Sequence, residues 1–165
     1  MRQENLEIAM VFIRSIGIDI HFSSLADKTF LPGLSIQKGA IIVDESKLSY
    51  PGDILHEAGH IAVVPLSERH TLNADTIGKR EQHAAEEMMA IAWSYAACIA
   101  LDIHPYFVFH DNGYKKGGQH IADHFAVGQY FGVSMLAWAG MTRDPFQSPE
   151  DTTGAYPYML NWIRH

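Results

Sequence analysis

The sequence predicts a single α+β domain over residues 1–165, mostly helical, with a small antiparallel sheet flanking one central helix. Three observations lead there. The chain has 165 residues, 47% of them hydrophobic and 19% charged, which is enough for one real core and is the balance of a globular protein rather than a disordered one. Apolar residues recur at helical spacing in several long stretches, whereas alternating stretches are few and short. No repeat, low-complexity tract or linker divides the chain.

Taken in order, residues 4–15 read as a first helix, with Leu6, Ala9, Met10 and Ile13 on one stripe and Gly17 to stop it. Residues 18–22 alternate as a short strand would. Residues 34–37 and 40–44 form two further runs joined by Lys38-Gly39, a hairpin signal. Pro51 suits the start of a second helix, whose apolar stripe is Ile54, Leu55, Ala58, Ile61 and Ala62, and which must stop before Pro65. Residues 65–78 are polar and loop-like. A long Ala-, Met- and Glu-rich helix is expected from 79 to about 101. After the His104-Pro105 break come turn signals at 111–113 and 116–118, a helix over 119–131, a short one over 133–139 and a loop over 140–155. The aromatic tail, residues 156–163, has to be packed.

Composition narrows the function classes. Twelve basic residues against nineteen acidic ones give a formal charge of −7. That disfavours nucleic-acid binding, which works by neutralising phosphates, and a membrane surface as partner. No apolar run reaches the length of a membrane span. One cysteine, Cys98, and the lack of a leader pattern predict a reducing cytoplasm. Ten histidines are an excess of the commonest transition-metal ligand.

The informative stretch is His56-Glu57-Ala58-Gly59-His60. Two histidines four apart on a helix project from one face and can share one ion. Glu57 lies about 100° further round the helix, so it stands beside the ion without ligating it. This is the H-E-x-x-H arrangement of zinc metallopeptidases. Zinc activates a water and polarises a carbonyl. The glutamate takes the water's proton and passes it to the leaving amine. Small Ala58 and Gly59 permit a close approach by a neighbouring segment.

Such a site needs a third protein ligand and an open position. His70, Glu81, His83, Glu86 and Glu87 are the candidates downstream. Glu86 and Glu87 begin a strongly apolar helical stretch, where a carboxylate is costly unless paired or metal-bound. Asp53 suits the first turn of the motif helix and is a candidate partner for a ligand imidazole. An amide hydrolase also needs a donor for the oxyanion of its tetrahedral intermediate. His110, Tyr114, His120 and His124 are the candidates, and His120 with His124 is a candidate second metal pair. Cys98 reads as a buried hydrophobe.

A hairpin, a helix bearing H-E-x-G-H, and a second helix carrying Glu87-Met88-Met89-Ala90 followed by Trp93-Ser94 resemble the ImmA/IrrE-type zinc metallopeptidases over residues 34–97. The resemblance implies a zincin-like, gluzincin-type fold. It implies a Zn²⁺ cofactor held by His56, His60 and Glu87, with Glu86 the fallback, and Glu57 as catalytic base and acid. The expected activity is hydrolysis of a peptide or protein substrate, bound as a strand along the sheet edge nearest the motif helix. Two other readings remain open: a catalytically silent metal-binding interaction domain, and a zinc hydrolase of a non-peptide amide. The oligomeric state is open.

Overall fold

A computed structural model describes residues 2–147 and 149–165 and shows an α+β fold. Helix α1 (Arg2–Ser15) buries Leu6, Ala9, Met10 and Ile13. It ends where Gly17 turns left-handed at φ 88°. There the Gly17 N–H donates to Arg14 and the Ile18 N–H to Ile13, so the last carbonyls are satisfied.

Three strands follow: β1 (Ile20–Phe22), β2 (Leu34–Gln37) and β3 (Ala40–Val43). Lys38 and Gly39, at φ 50° and 76°, make the tight β2–β3 hairpin. The sheet order is β1-β3-β2, with β1 parallel to β3 and β2 antiparallel to it. The sheet is therefore mixed, not purely antiparallel. The 23–33 connection carries the chain past one strand position, so β3 slots between β1 and β2. Asp44 pins that connection by accepting from Leu25, while Lys47 holds the Leu25 carbonyl and Asp27.

Helix α2 (Asp53–Ala62) carries the motif and starts two residues after Pro51, with Gly52 at its cap. Gly52 has no room for a side chain, because a Cβ there would sit 1.7 Å from the Phe107 carbonyl oxygen. Helix α3 (His83–Ala100) starts four residues later than the sequence pattern suggests. Residues 77–79 form a 3-10 turn instead, and Arg80 is extended. Its guanidinium is taken up by Glu86, at 2.7 and 2.9 Å, and by Glu68. Two short helices complete the chain, α4 (Gly118–Ala126) and α5 (Val133–Trp138). The first stops short of 131 because the chain turns left-handed at Gly128, φ 79°.

The core lies between α1, the inner face of the sheet, α2 and α3. Trp93 of α3 is fully buried, and the aromatic tail is packed only in part: Tyr156 and Met159 are buried and Trp162 packs on Trp93, while Tyr158 and Leu160 are exposed. Trp93 donates to the Trp162 carbonyl, and Phe12 and Trp162 meet its ring at 6.0 and 5.5 Å. Beyond Trp162, Arg164 donates its N–H to the Ala62 carbonyl and its side chain to Val63. Arg69 donates to Val64 and to the Arg164 carbonyl. The open carbonyls at the end of α2 are thereby satisfied. Among the described residues, no helix is long and apolar enough to cross a membrane.

Cys98 is fully buried in α3, and burial pushes its thiol up to about 12. A thiolate-directed reagent should leave the native chain unlabelled and react only after denaturation. Stoichiometric labelling under native conditions, read by mass spectrometry, would contradict this burial.

Candidate metal centre

The crossing of α2 over α3 builds the site. Gly59 faces α3 so closely that a Cβ would lie 3.0 Å from the Ala90 carbonyl oxygen and 3.3 Å from Ser94 Oγ. The Ser94 hydroxyl donates back to the Ala90 carbonyl at 2.7 Å, so it adds no unpaired polar group to this dry contact. A larger residue at position 59 would push the helices apart. With glycine there, the face of α2 that holds His56 and His60 meets the first turns of α3.

Glu87 reaches across that gap. Its Oε1 is 3.5 Å from His56 Nε2 and its Oε2 is 3.2 Å from His60 Nε2. One ligand atom from each of the three residues lies within 4.8 Å of the others, so the group could hold a metal ion. Tetrahedral coordination with bonds near 2.05 Å puts neighbouring ligand atoms about 3.3 Å apart. Both carboxylate–imidazole separations straddle that value. Glu86 points elsewhere: it is 3% exposed and bound through both oxygens by Arg80. Adjacent residues on a helix diverge by about 100°, and here that rotation gives Glu86 to an arginine and Glu87 to the histidines.

Charge states without a metal follow from burial and pairing. Burial, reinforced by the charge of His60, pulls His56 down to about 3, so its ring is neutral near pH 7. Burial alone would raise Glu87, but the His60 hydrogen bond and the charges of His56 and His60 hold it at about 2. Burial alone would lower His60, yet the same hydrogen bond and the surrounding carboxylates raise it. A neutral imidazole and an ionised carboxylate are the forms a cation needs.

Glu57 is half-buried beside this group. Burial is the main cause that pushes its carboxyl up to about 7, with Asp53 and Glu87 adding to it against His60. Its field thus comes from the candidate ligands and from the first turn of its own helix.

The other sequence candidates divide. Glu81, His70, His120 and His124 are exposed and do not join the group. The field of His83, one turn before Glu87, helps to lower Glu87. Asp53 does not serve His56; its Oδ1 lies 2.9 Å from His110 Nε2. His56 Nδ1 is buried with no hydrogen-bond partner, so the usual outer partner of a metal-binding imidazole is missing among the described residues. Tyr114 stands edge-on to His56, with ring centres 5.4 Å apart. The Asp53–His110 pair and the roles of Arg80 and Arg69 were not foreseeable from spacing, since each joins segments whose approach only the fold decides.

The outward edge of β2, the edge strand in contact with α2, is partly spoken for. The Ala74 N–H donates to the Ile36 carbonyl, and the Leu34 N–H donates to Leu31. A comparison with protein-family models, with curated proteins and with solved structures finds no match.

Proposed function

We propose that the chain is a zinc-dependent metallopeptidase of the gluzincin type, in line with the resemblance of residues 34–97 to the ImmA/IrrE-type enzymes. The observation that carries this reading is the meeting of His56, His60 and Glu87 at ligand spacing, with Glu57 on the next position of the same helix. The three donors, two nitrogens and one carboxylate oxygen, match catalytic zinc and leave a fourth position open. Bound there, zinc supplies Lewis acidity that activates water and polarises the scissile carbonyl.

Glu57 does the proton work. It accepts one proton as the water oxygen bonds to the carbonyl carbon. When the C–N bond breaks, Glu57 returns that proton to the departing amine. Peptide and water are thereby converted to acid and amine, with Glu57 regenerated. Its partly buried setting raises the carboxyl to about 7, which suits a group that takes and returns a proton near neutral pH.

Elemental analysis of chelator-free protein tests the site. The expected result is near one zinc per chain in the wild type and in Glu86→Ala, and its loss in Glu87→Ala and His60→Ala. Glu86→Ala should instead lower stability by about 1–3 kcal/mol, between the values for exposed and buried ion pairs. No uptake of zinc by the wild type would overturn the reading. Loss of zinc from Glu86→Ala but not from Glu87→Ala would overturn the ligand assignment.

A further inference from the structure

Arg80 ties together the segments that carry the candidate ligands. Past α2 the chain enters a 3-10 segment, Leu66–Thr71, and Glu68 of that segment accepts from Arg80 Nη2 at 2.8 Å. On the other side Arg80 Nε and Nη2 donate to both oxygens of Glu86, in the first turn of α3, at 2.7 and 2.9 Å. The two arms are unequal. The Glu68 side chain is 52% exposed, whereas those of Glu86 and Arg80 are 4% and 19% exposed. An exposed ion pair contributes little, while a forked, charge-assisted pair out of water fixes geometry as well as energy. The Glu86 arm is therefore the one that holds.

Arg80 is itself anchored from behind. Its N–H donates to the Ile77 carbonyl, the Ile77 N–H to Asn73, and the Ala74 N–H to the Ile36 carbonyl of β2. A short run of turns thus fixes this residue to the sheet. Its guanidinium lies by the N-terminus of α3, where the helix dipole disfavours a cation, so the two carboxylates are what keep it there. A first turn without a side-chain cap frays, and Gln82 at the start of α3 supplies none. Glu87 follows Glu86 by about 100° round the helix, so whatever fixes the direction of Glu86 fixes that of Glu87. The margin is small. The Glu87 oxygens lie 3.5 and 3.2 Å from the His56 and His60 nitrogens, and a binding constellation tolerates only about 0.5 Å of misplacement.

We propose that Arg80 is a positioning residue for the metal centre: its forked bond to Glu86 locks the first turn of α3 so that Glu87 meets His56 and His60, and so sets how tightly zinc is held. The same bond keeps the neighbouring carboxylate, Glu86, from taking the place of Glu87. This rests on the metal-ligand part of the metallopeptidase reading and extends it to a residue that touches neither ion nor substrate. Arg80 acts through Glu86 and the helix turn that Glu86 shares with Glu87.

The test separates positioning from stability. It compares the full wild-type chain with Arg80→Met/Glu86→Leu and with Arg80→Lys. The double variant leaves no unpaired buried charge, and exchanging a buried ion pair for apolar side chains is often neutral or stabilising, so its urea midpoint should match or exceed that of the wild type. Zinc affinity, read by competition with a chromophoric chelator, should nevertheless fall by about 10–100-fold, the range for lost partners of metal ligands. Affinity and not content is the readout, because a tight site stays filled after a loss of this size. In metal-free protein, amide exchange over residues 83–87 should be faster in the double variant although its global stability is kept. Arg80→Lys retains the charge beside Glu86 but not the planar fork, and should fold normally and still hold zinc more weakly. Zinc affinity within about threefold of wild type in either variant, or unchanged exchange over 83–87, would overturn the positioning role and leave the three ligands standing. No zinc uptake by the wild type would overturn both.

Discussion

Glu57→Gln is expected to lower peptide hydrolysis by about 10²–10⁴-fold, the usual range for removing a general base, while zinc content stays at the wild-type level. Glutamine keeps the length and shape of the side chain but cannot take a proton. The half-buried position of Glu57 on α2 makes the swap mild for folding, since it removes a charge that burial disfavours. The thermal midpoint should therefore hold or rise. Metal retention is the second half of the expectation. His56, His60 and Glu87 converge without Glu57, so an inactive variant that still holds its metal separates chemistry from binding. Hydrolysis by Glu57→Gln at a tenth of the wild-type rate or better would sink the mechanism. Loss of zinc in that variant would show that Glu57 belongs to the ion's own shell.

The largest stability effect is expected at Trp93→Ala, about 3–5 kcal/mol as for other buried aromatic truncations. Trp93 has no exposed surface. Its removal empties a space bounded by Phe12 and Trp162, and it orphans the Trp162 carbonyl that the indole N–H now serves. The loss would spread. With Trp162 loosened, Arg164 no longer holds the Ala62 and Val63 carbonyls, so the end of the motif helix should fray. A domain of this size has only about 5–15 kcal/mol in all. Urea denaturation measures the loss, and a change below about 1 kcal/mol would contradict the packing described. Trp93→Phe should cost less, since a ring remains, but should still free the tail for proteolysis.

Local signals were legible in the sequence where one segment decides its own shape. The apolar stripe of α1, the Lys38-Gly39 turn and the spacing of His56 with His60 are of that kind, and the structure has each of them. The parallel pairing of β1 with β3 was not legible, because strand order depends on where the 23–33 connection crosses. Helix α3 begins at His83 rather than Lys79 because Arg80 is drawn to Glu68 and Glu86. Helical propensity alone contains no trace of that competition. The choice between Glu86 and Glu87 has the same origin. Their sequence context is nearly identical, and only the positions of α2 and Arg80 distinguish them. His110 was legible only as one of four candidate oxyanion donors in a turn-rich stretch; its pairing with Asp53, 57 positions away, belongs to the tertiary structure.

The close crossing at Gly59 has a consequence for how a metal would come and go. Helices α2 and α3 are held together by the close approach of Gly59 to the Ala90 carbonyl and by the Ser94 hydroxyl, which reaches the Leu55 carbonyl of α2 at 3.5 Å, contacts that involve no ion. Donor atoms gathered by such a crossing would meet an ion with the ordering entropy already met by folding. In small zinc domains that fold only around their ion, stripping the ion unfolds the chain. Here a chelator would leave a folded protein with an open seat, so occupancy can follow the local metal supply reversibly rather than being fixed once at folding.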